Sequence, residues 1–292
     1  GGGKVTVVCP GANRVVGEAE VARAAKMLES GRVRVVLLAL EVPMEANREV
    51  ARMANQHDCI VGLKPSPLNS SAVPALHHLL EQGTVSVIFL TDYEARLLCS
   101  SSKAIVTIGD AEHAAALLLR TFAGLDVVII RLLVGESLVL IQRKSPPSRL
   151  WPERGESRTT SLVSSSTNDP ERAECLRECD TPSGARSFTQ KHISEDMVLV
   201  MPTRRMVYKQ PRQKKRLLDR EGVSKASVVG AADAFFGGFM SALGQGLSVT
   251  QAFLQGYGAG QMCSVIAEPQ LKGGREQLKA VLSNEFHDAE LV

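Results

Sequence analysis

The segment from Ser227 to Phe239 has the residue types best suited to anion binding and proton transfer in this sequence. The segment reads Ser-Val-Val-Gly-Ala-Ala-Asp-Ala-Phe-Phe-Gly-Gly-Phe, which puts small residues directly before a predicted helix. Small residues let the backbone approach an anion closely, and the free N–H groups and dipole of a helix start attract negative charge. The N–H groups of Ala231, Ala232 and Asp233 are therefore predicted to hold a phosphate.

Asp233 adds a carboxylate beside this predicted phosphate site. A carboxylate in that position can take a proton from an attacking hydroxyl group, as a general base does. An aspartate in the first turn of a helix also complements the helix dipole without any catalytic role. The residue types of this segment leave both interpretations open.

Apolar runs that alternate with helical patterns indicate the scaffold around this segment. The apolar runs are continuous, as the strands of a parallel sheet covered on both faces require. We therefore predict an α/β fold that is doubly wound, with a mostly parallel sheet and helices on both faces. The predicted strands cover residues 33–40, 59–63, 85–90, 104–106, 126–130 and 197–201, and the predicted helices cover 44–56, 72–82, 110–122, 231–243, 249–263 and 272–282, with one more helix from Asp92.

Composition narrows the classes of partner. The chain has 292 residues, and its 34 basic and 31 acidic side chains give a net charge of +3. This charge is too small to favour nucleic acid or an anionic membrane as the main partner, so a small or anionic ligand is expected. The six cysteines are scattered, which indicates a reducing compartment, and no zinc site is expected at Cys175 and Cys179. No signal peptide or membrane span is recognised, so a cytoplasmic protein is expected.

Residues 142–196 interrupt the alternation and divide the chain. The first part, 1–141, and the last part, 197–292, carry the α/β pattern, whereas the middle is rich in Ser, Pro, Arg, Thr and Glu. Such a composition cannot bury enough apolar surface to offset its chain entropy. We expect a disordered insertion that proteases cut first within 142–190. The basic stretch Arg204–Arg220 that follows suits either a solvated loop or a phosphate-rich partner.

Five short motifs occur in the order found in one enzyme family. They are Cys9-Pro10-Gly11-Ala12-Asn13, Leu40-Glu41-Val42-Pro43, Leu63-Lys64-Pro65-Ser66-Pro67, Thr91-Asp92-Tyr93-Glu94-Ala95 and the segment Gly230–Phe239. These resemble the Pro-Gly-Ala-Asn, Leu-Glu-Ile-Pro, Asn-Pro-Ala-Pro, Asn-Glu-x-Glu-Ala and Gly-Ala-Gly-Asp-x-Phe motifs of the ribokinase-like (PfkB-type) carbohydrate kinases, within the ribokinase branch. One match would be weak, but five in order are specific. The resemblance covers about residues 5–142 and 223–292.

The resemblance implies a sugar kinase that uses ATP and Mg²⁺. Asp233 would be the base that activates the sugar hydroxyl, with ribose as the expected acceptor. Gly230, Ala231 and Ala232 would form the anion hole that stabilises the transferred phosphoryl group. Partners would be the small-molecule sugar and ATP, and a homodimer would be possible as in the family.

Four more residues receive a role from the resemblance. Glu94 would organise magnesium and its waters, and Glu41 would lie at the sugar site. Arg131 and Tyr257 would lie near the nucleotide. The residue types alone also allow Glu94 to be an ordinary helix residue, Glu41 a surface charge at a strand end and Tyr257 a packing aromatic.

Several positions depart from the family pattern. Ser227-Val228 replaces an Asp-Thr pair that supports a potassium site in the family, which makes K⁺ activation doubtful. Ala232 replaces a glycine of the anion hole. The family begins with strands that carry a sugar-binding aspartate, a Gly-Gly-Asn motif and a lid sheet, and no segment of this sequence resembles them. We therefore expect the lid sheet to be missing and ribose to be phosphorylated very slowly or not at all.

These observations leave three functions to compare. The first is ATP-dependent phosphorylation of a sugar, with ribose predicted. The second is a degenerate family relative that binds nucleotide or a partner without turnover, which the altered motifs favour. The third is a polyanion binder that uses Arg204–Arg220, which is disfavoured because no aromatic residues are interleaved with the charges and no known binding fold accompanies them.

Overall fold

A computed structural model of the chain describes residues 11–132, 137–143, 188–194, 197–202 and 230–265. The strands are β1 (Val35–Ala39), β2 (Ile60–Lys64), β3 (Val87–Thr91), β4 (Val127–Leu132), β5 (Ser137–Arg143), β6 (Phe188–Ser194) and β7 (Met197–Pro202). The helices are α1 (Glu18–Glu29), α2 (Met44–Gln56), α3 (Val73–Glu81), α4 (Asp92–Leu98), α5 (Ile108–Thr121), α6 (Ala231–Gly244) and α7 (Val249–Val265), preceded by a 3-10 turn at Gly11–Val15.

The strands form one sheet of seven strands in the order β1-β2-β3-β4-β5-β7-β6. The first four strands run parallel to one another, and helices connect them. The last three strands extend the sheet with antiparallel pairings. The predicted α/β sheet is confirmed, and its antiparallel extension is a feature that the sequence did not predict.

Two hydrophobic cores lie on opposite faces of this sheet. Along β3, Ile88 and Leu90 belong to the core that α1 to α5 cover, whereas Val87 and Phe89 belong to the core under α6 and α7. This division follows from the period of two along a strand, because successive side chains point to opposite faces. Both faces of the parallel strands are therefore apolar, which explains why their sequences read as continuous hydrophobic runs.

Side chains of α6 pack directly on the backbone of β2. A Cβ atom added to Gly62 of β2 would lie 2.7 Å from Cε of Met240 and 3.0 Å from Cζ of Phe236, both on α6. The Phe89 ring of β3 also lies 5.3 Å from the ring of Phe235. Glycine in β2 thus lets α6 pack directly on the sheet, next to the end of β2.

One predicted strand differs from the structure. Residues Ala104, Ile105 and Val106 form no strand; Ile105 is buried in a connecting segment before α5. Within the predicted insertion, residues 142–143 end β5, and β6 pairs with β7; the disorder of the insertion stays a prediction. β6 is the edge strand of the sheet and pairs with β7 on one side, and composition does not show such a partner.

Other sequence predictions fall outside the described residues. They concern residues 144–187, the basic stretch Arg204–Arg220 and the helix at 272–282. The absence of a lid sheet stays a prediction. In the described part of the chain, no helix combines the length and the apolar character needed to cross a membrane.

Candidate functional site

The carboxyl ends of the parallel strands bring most of the predicted site residues to one edge of the sheet. Glu41 follows the end of β1, Lys64 is the last residue of β2, and Thr91 is the last residue of β3. Arg131 lies in β4 in register with Thr91. In open α/β sheets this edge is where ligands bind.

The start of α6 has the backbone shape expected of an anion-binding turn. Gly230 is the residue before the helix and has φ +81°, a left-handed conformation that glycine adopts without strain. Its carbonyl oxygen accepts the first helical hydrogen bond, from Ala234 N–H at 2.8 Å. The N–H groups of Ala231, Ala232 and Asp233 precede that bond, so the helix itself gives them no carbonyl partner.

Asp233 contacts a cation from the sheet. The Nζ atom of Lys64 donates to Oδ1 of Asp233 at 2.7 Å. The side chain of Asp233 is 68% exposed and that of Lys64 is 22% exposed. The charge of Asp233 also affects Cys263 of α7. Burial raises the pKa of the Cys263 thiol, and the negative charge of Asp233 raises that pKa further.

Lys64 was missed by the sequence reasoning as a site residue. A signal for it existed, because it stands at the start of the Lys64-Pro65-Ser66-Pro67 motif that resembles the family's Asn-Pro-Ala-Pro. The motif did not reveal its partner, which is 169 residues away in the chain.

Glu94 is buried at the start of α4 and accepts hydrogen bonds at both carboxylate oxygens. Oε2 accepts from Thr91 N–H at 2.8 Å, and Oε1 accepts from the hydroxyl group of Ser66 at 2.5 Å. Thr91 Oγ1 accepts in turn from Glu94 N–H, which completes a capping box. Glu94 thus ties the end of β3 to the segment after β2.

Glu41 lies where two of the sequence motifs meet. Its Oε2 accepts from Nδ2 of Asn13 at 3.5 Å, a long hydrogen bond at the surface. Asn13 belongs to the motif around Pro10 and Glu41 to the motif before α2, so the structure brings these two segments together. The exposed carboxylate is accessible to a polar ligand.

The two residues predicted near the nucleotide differ in exposure. Arg131 is partly buried at the carboxyl edge of the parallel strands. Tyr257 of α7 is 1% exposed and belongs to the core that contains Phe235, Phe239 and Phe253. The structure gives Tyr257 a packing role, and its place near a nucleotide stays a prediction.

The described residues fit a nucleotide better than an isolated metal ion. The start of α6 supplies N–H donors and the positive end of a helix dipole for phosphate oxygens. Within the described ranges, no group of three or more His, Cys, Asp or Glu side chains could hold a metal. Magnesium in such sites keeps several waters and binds substrate phosphates with one or two carboxylates, so it would be held chiefly by the nucleotide.

Comparison with solved structures relates this fold to sugar kinases. Ribokinase from Thermotoga maritima aligns with 95% of this chain and 65% of its own length, at 18% identity and a TM-score of 0.55. Ribokinase from Arabidopsis thaliana, solved with ribose and ATP, aligns with 94% of this chain and 64% of its own length, at 14% identity and a TM-score of 0.54. Phosphofructokinase-2 from Escherichia coli, solved with potassium, aligns with 92% and 62%, at 12% identity and a TM-score of 0.52.

These likenesses show that the chain has the ribokinase-like α/β fold, the fold class predicted from the sequence. The chain spans less than two thirds of the length of each of the three proteins. Sequence comparison finds no matching family model and no matching curated protein.

Proposed function

We propose that this chain carries the catalytic part of an ATP-dependent sugar kinase, with Asp233 as the general base. The observation that carries this proposal is the start of α6: a left-handed Gly230, helix N–H groups and an adjacent carboxylate, set at the ligand-binding edge of a ribokinase-like sheet. The first two features suit a phosphoryl group, and the third suits the hydroxyl group that attacks it.

In the proposed reaction, Asp233 takes the proton of a sugar hydroxyl group as its oxygen attacks the γ-phosphorus of ATP. The bond between that phosphorus and the bridging oxygen breaks, and ADP leaves with the electron pair. The N–H groups of the anion hole, contributed by Gly230, Ala231 and Ala232, stabilise the charge on the transferred group. Magnesium bound to the nucleotide would neutralise charge on the phosphate oxygens when it is present.

Ribose is the proposed acceptor, and Glu41 with Asn13 is the proposed part of its site. Two of the solved structures with this fold are ribokinases, whereas a third is phosphofructokinase-2. Glu41 and Asn13 offer a carboxylate and an amide, groups that bind sugar hydroxyls by hydrogen bonds. Arg131 and Glu94 are proposed to act at the nucleotide and at its magnesium, respectively.

A second candidate function is nucleotide binding without turnover. Two observations favour it: Ala232 stands at the position of a glycine in the family's anion-hole motif, and both oxygens of Glu94 accept hydrogen bonds from the protein. A carboxylate engaged in this way has less freedom to order magnesium and its waters.

An assay of phosphoryl transfer separates the two functions. The chain is incubated with γ-labelled MgATP and either ribose or fructose 6-phosphate, and the labelled sugar product and nucleotide binding are both measured. We expect label in ribose phosphate above the level of a reaction without protein. Tight MgATP binding with no label in either sugar would favour the second function, and label in the fructose product alone would correct the acceptor.

A further inference from the structure

The ion pair between Lys64 and Asp233 joins the proposed base to the sheet. Lys64 ends β2, Asp233 lies in the first turn of α6, and their Nζ and Oδ1 atoms are 2.7 Å apart. We infer that Lys64 is a positioning residue for the reaction: it holds one oxygen of Asp233 and thereby fixes the direction in which the other can accept a proton. This inference rests on the proposed function.

The unequal exposure of the two side chains shows which of them is held by the fold. Lys64 is 22% exposed and belongs to a strand in register with β1, whereas Asp233 is 68% exposed at a helix start. The apolar stem of a lysine packs along the protein while its ammonium group reaches a polar partner. Lys64 is therefore the anchored member of the pair, and Asp233 is the member whose direction is set.

Orientation outweighs simple charge attraction in this pair. Because Asp233 is 68% exposed, water screens the attraction, and exposed ion pairs contribute little to stability. The accepting atom of a general base must lie about 2.6–3.2 Å from the atom that carries the proton. A displacement of about 1 Å can lower a rate on the order of 10²-fold. Holding the carboxylate still thus affects turnover more than it affects folding.

The second oxygen of Asp233 is available for this role. Among the residues that the structure describes, Oδ1 bonds to Lys64, and no hydrogen bond to Oδ2 is found. Burial raises the pKa of the Cys263 thiol, and the charge of Asp233 raises that pKa further. We infer that Oδ1 binds Lys64 and that Oδ2 takes the proton of the substrate.

The test is a mutant cycle on the full chain with MgATP and ribose. It compares the parent with Lys64→Met, Asp233→Asn and the double variant, with kcat and the KM for ATP measured for each. Lys64→Met is expected to lower kcat about 10–100-fold while the KM for ATP changes less than about threefold. The double variant should be no slower than Asp233→Asn, because a residue that acts through Asp233 has nothing to position once the base is gone.

Two controls separate positioning from a structural effect. Lys64→Arg can still donate a charged hydrogen bond to the carboxylate and should recover most of the kcat that Lys64→Met loses. Lys103→Met removes an exposed lysine outside the site and should leave kcat unchanged. Melting curves check that each variant is folded.

The outcomes distinguish this inference from the proposed function. An active parent whose kcat is unchanged by Lys64→Met, or a double variant far slower than Asp233→Asn, overturns the inference alone. A parent that neither binds MgATP nor phosphorylates a sugar overturns the proposed function, and the inference falls with it. A loss of kcat in Lys64→Met that Lys64→Arg recovers supports the positioning role.

Discussion

Asp233 and Glu94 are both carboxylates in the first turn of a helix, but they have opposite surroundings. Asp233 is exposed and has one described ion-pair partner, whereas Glu94 is buried and accepts hydrogen bonds from Thr91 and Ser66. An exposed, incompletely bonded carboxylate can exchange a proton with a substrate. A buried one that accepts a hydrogen bond at each oxygen also holds neighbouring segments together.

The first prediction at the residue scale concerns Asp233→Asn, which keeps the shape of the side chain and removes its charge. We expect turnover to fall by at least about 10²-fold, since general-base catalysis typically contributes about 10²–10⁴. Loss of a favourable charge at the helix start costs only about 0.3–1 kcal/mol, so the melting temperature should change little. Steady-state kinetics and calorimetric unfolding measure the two effects.

The opposite result would be a turnover within a few-fold of that of the parent together with a lower melting temperature. In that case Asp233 would stabilise α6 and would not be the base. MgATP affinity, measured by titration calorimetry, provides a control that the variant retains its nucleotide site.

The second prediction concerns Glu94→Gln. A glutamine offers one oxygen, which can keep Thr91 N–H, and the Ser66 hydroxyl must then accept from the amide NH₂ group in place of donating to a charged oxygen. We expect a loss of about 1–2 kcal/mol in the free energy of unfolding. Turnover should also fall and require more magnesium, because Glu94 is proposed to organise that ion.

Asp110→Asn is a matched control for Glu94→Gln. Asp110 forms the equivalent capping box at the start of α5, and its hydrogen bonds go to Thr107 and Val106. These hydrogen bonds, that from the Thr107 hydroxyl first, hold the pKa of Asp110 below its usual value. The control should lower the melting temperature without changing the magnesium requirement; equal effects of the two variants on turnover would contradict the special role of Glu94.

At the scale of elements, α6 and α7 are packed closely enough that their glycines matter. A Cβ atom on Gly256 of α7 would lie 2.6 Å from the carbonyl oxygen of Phe235, and one on Gly238 of α6 would lie 2.9 Å from Cβ of Ala259. Both contacts involve atoms that cannot easily move aside. The two helices thus form one unit, and the start of α6 is held by the rest of this unit.

We predict that Gly256→Ala destabilises the protein by about 1–3 kcal/mol, because the added methyl group pushes α7 away from α6. Gly237→Ala, in the second turn of α6, is the matched control, since a Cβ atom there meets nothing within 4 Å. The control should be neutral or stabilising by up to about 1 kcal/mol, because alanine favours a helix interior. Urea unfolding measures both, and similar losses in the two variants would contradict the close packing.

At the scale of the whole molecule, the two cores make the sheet and the site a single stability unit. The parallel strands contribute alternate side chains to both cores, and α6 carries the proposed anion hole while covering one of them. A ligand held at the start of α6 therefore binds only the folded chain. Its binding energy adds to the stability of the whole fold.

The prediction at this scale is that MgATP raises the melting temperature. A ligand at 100 times its Kd adds about 2.7 kcal/mol to stability, which for a domain of this size is about 5 °C or more. The measurement is a thermal scan with MgATP and with magnesium alone at matched ionic strength. An unchanged melting temperature at millimolar MgATP would argue against a nucleotide site.

Local pattern was sufficient to predict most of the architecture. The helix at 44–56 was predicted with the boundaries of α2, and α6 and α7 were predicted to within two residues. Periodicity, glycines and a small-residue turn are properties of neighbouring residues, so they can be read along the chain. The strand predicted at Ala104-Ile105-Val106 was wrong because a short apolar run does not show whether a partner strand lies beside it.

The sequence also determined the turn before Asp233, since Gly230 supplies a conformation that is local to the backbone. Only the tertiary structure decided what surrounds that carboxylate. Lys64, which is 169 positions away in the chain, donates a hydrogen bond to it. Tyr257 is enclosed by the core of α6 and α7. Such contacts depend on how strands and helices cross in space, and no local pattern of residues encodes them because the partners are far apart in the chain.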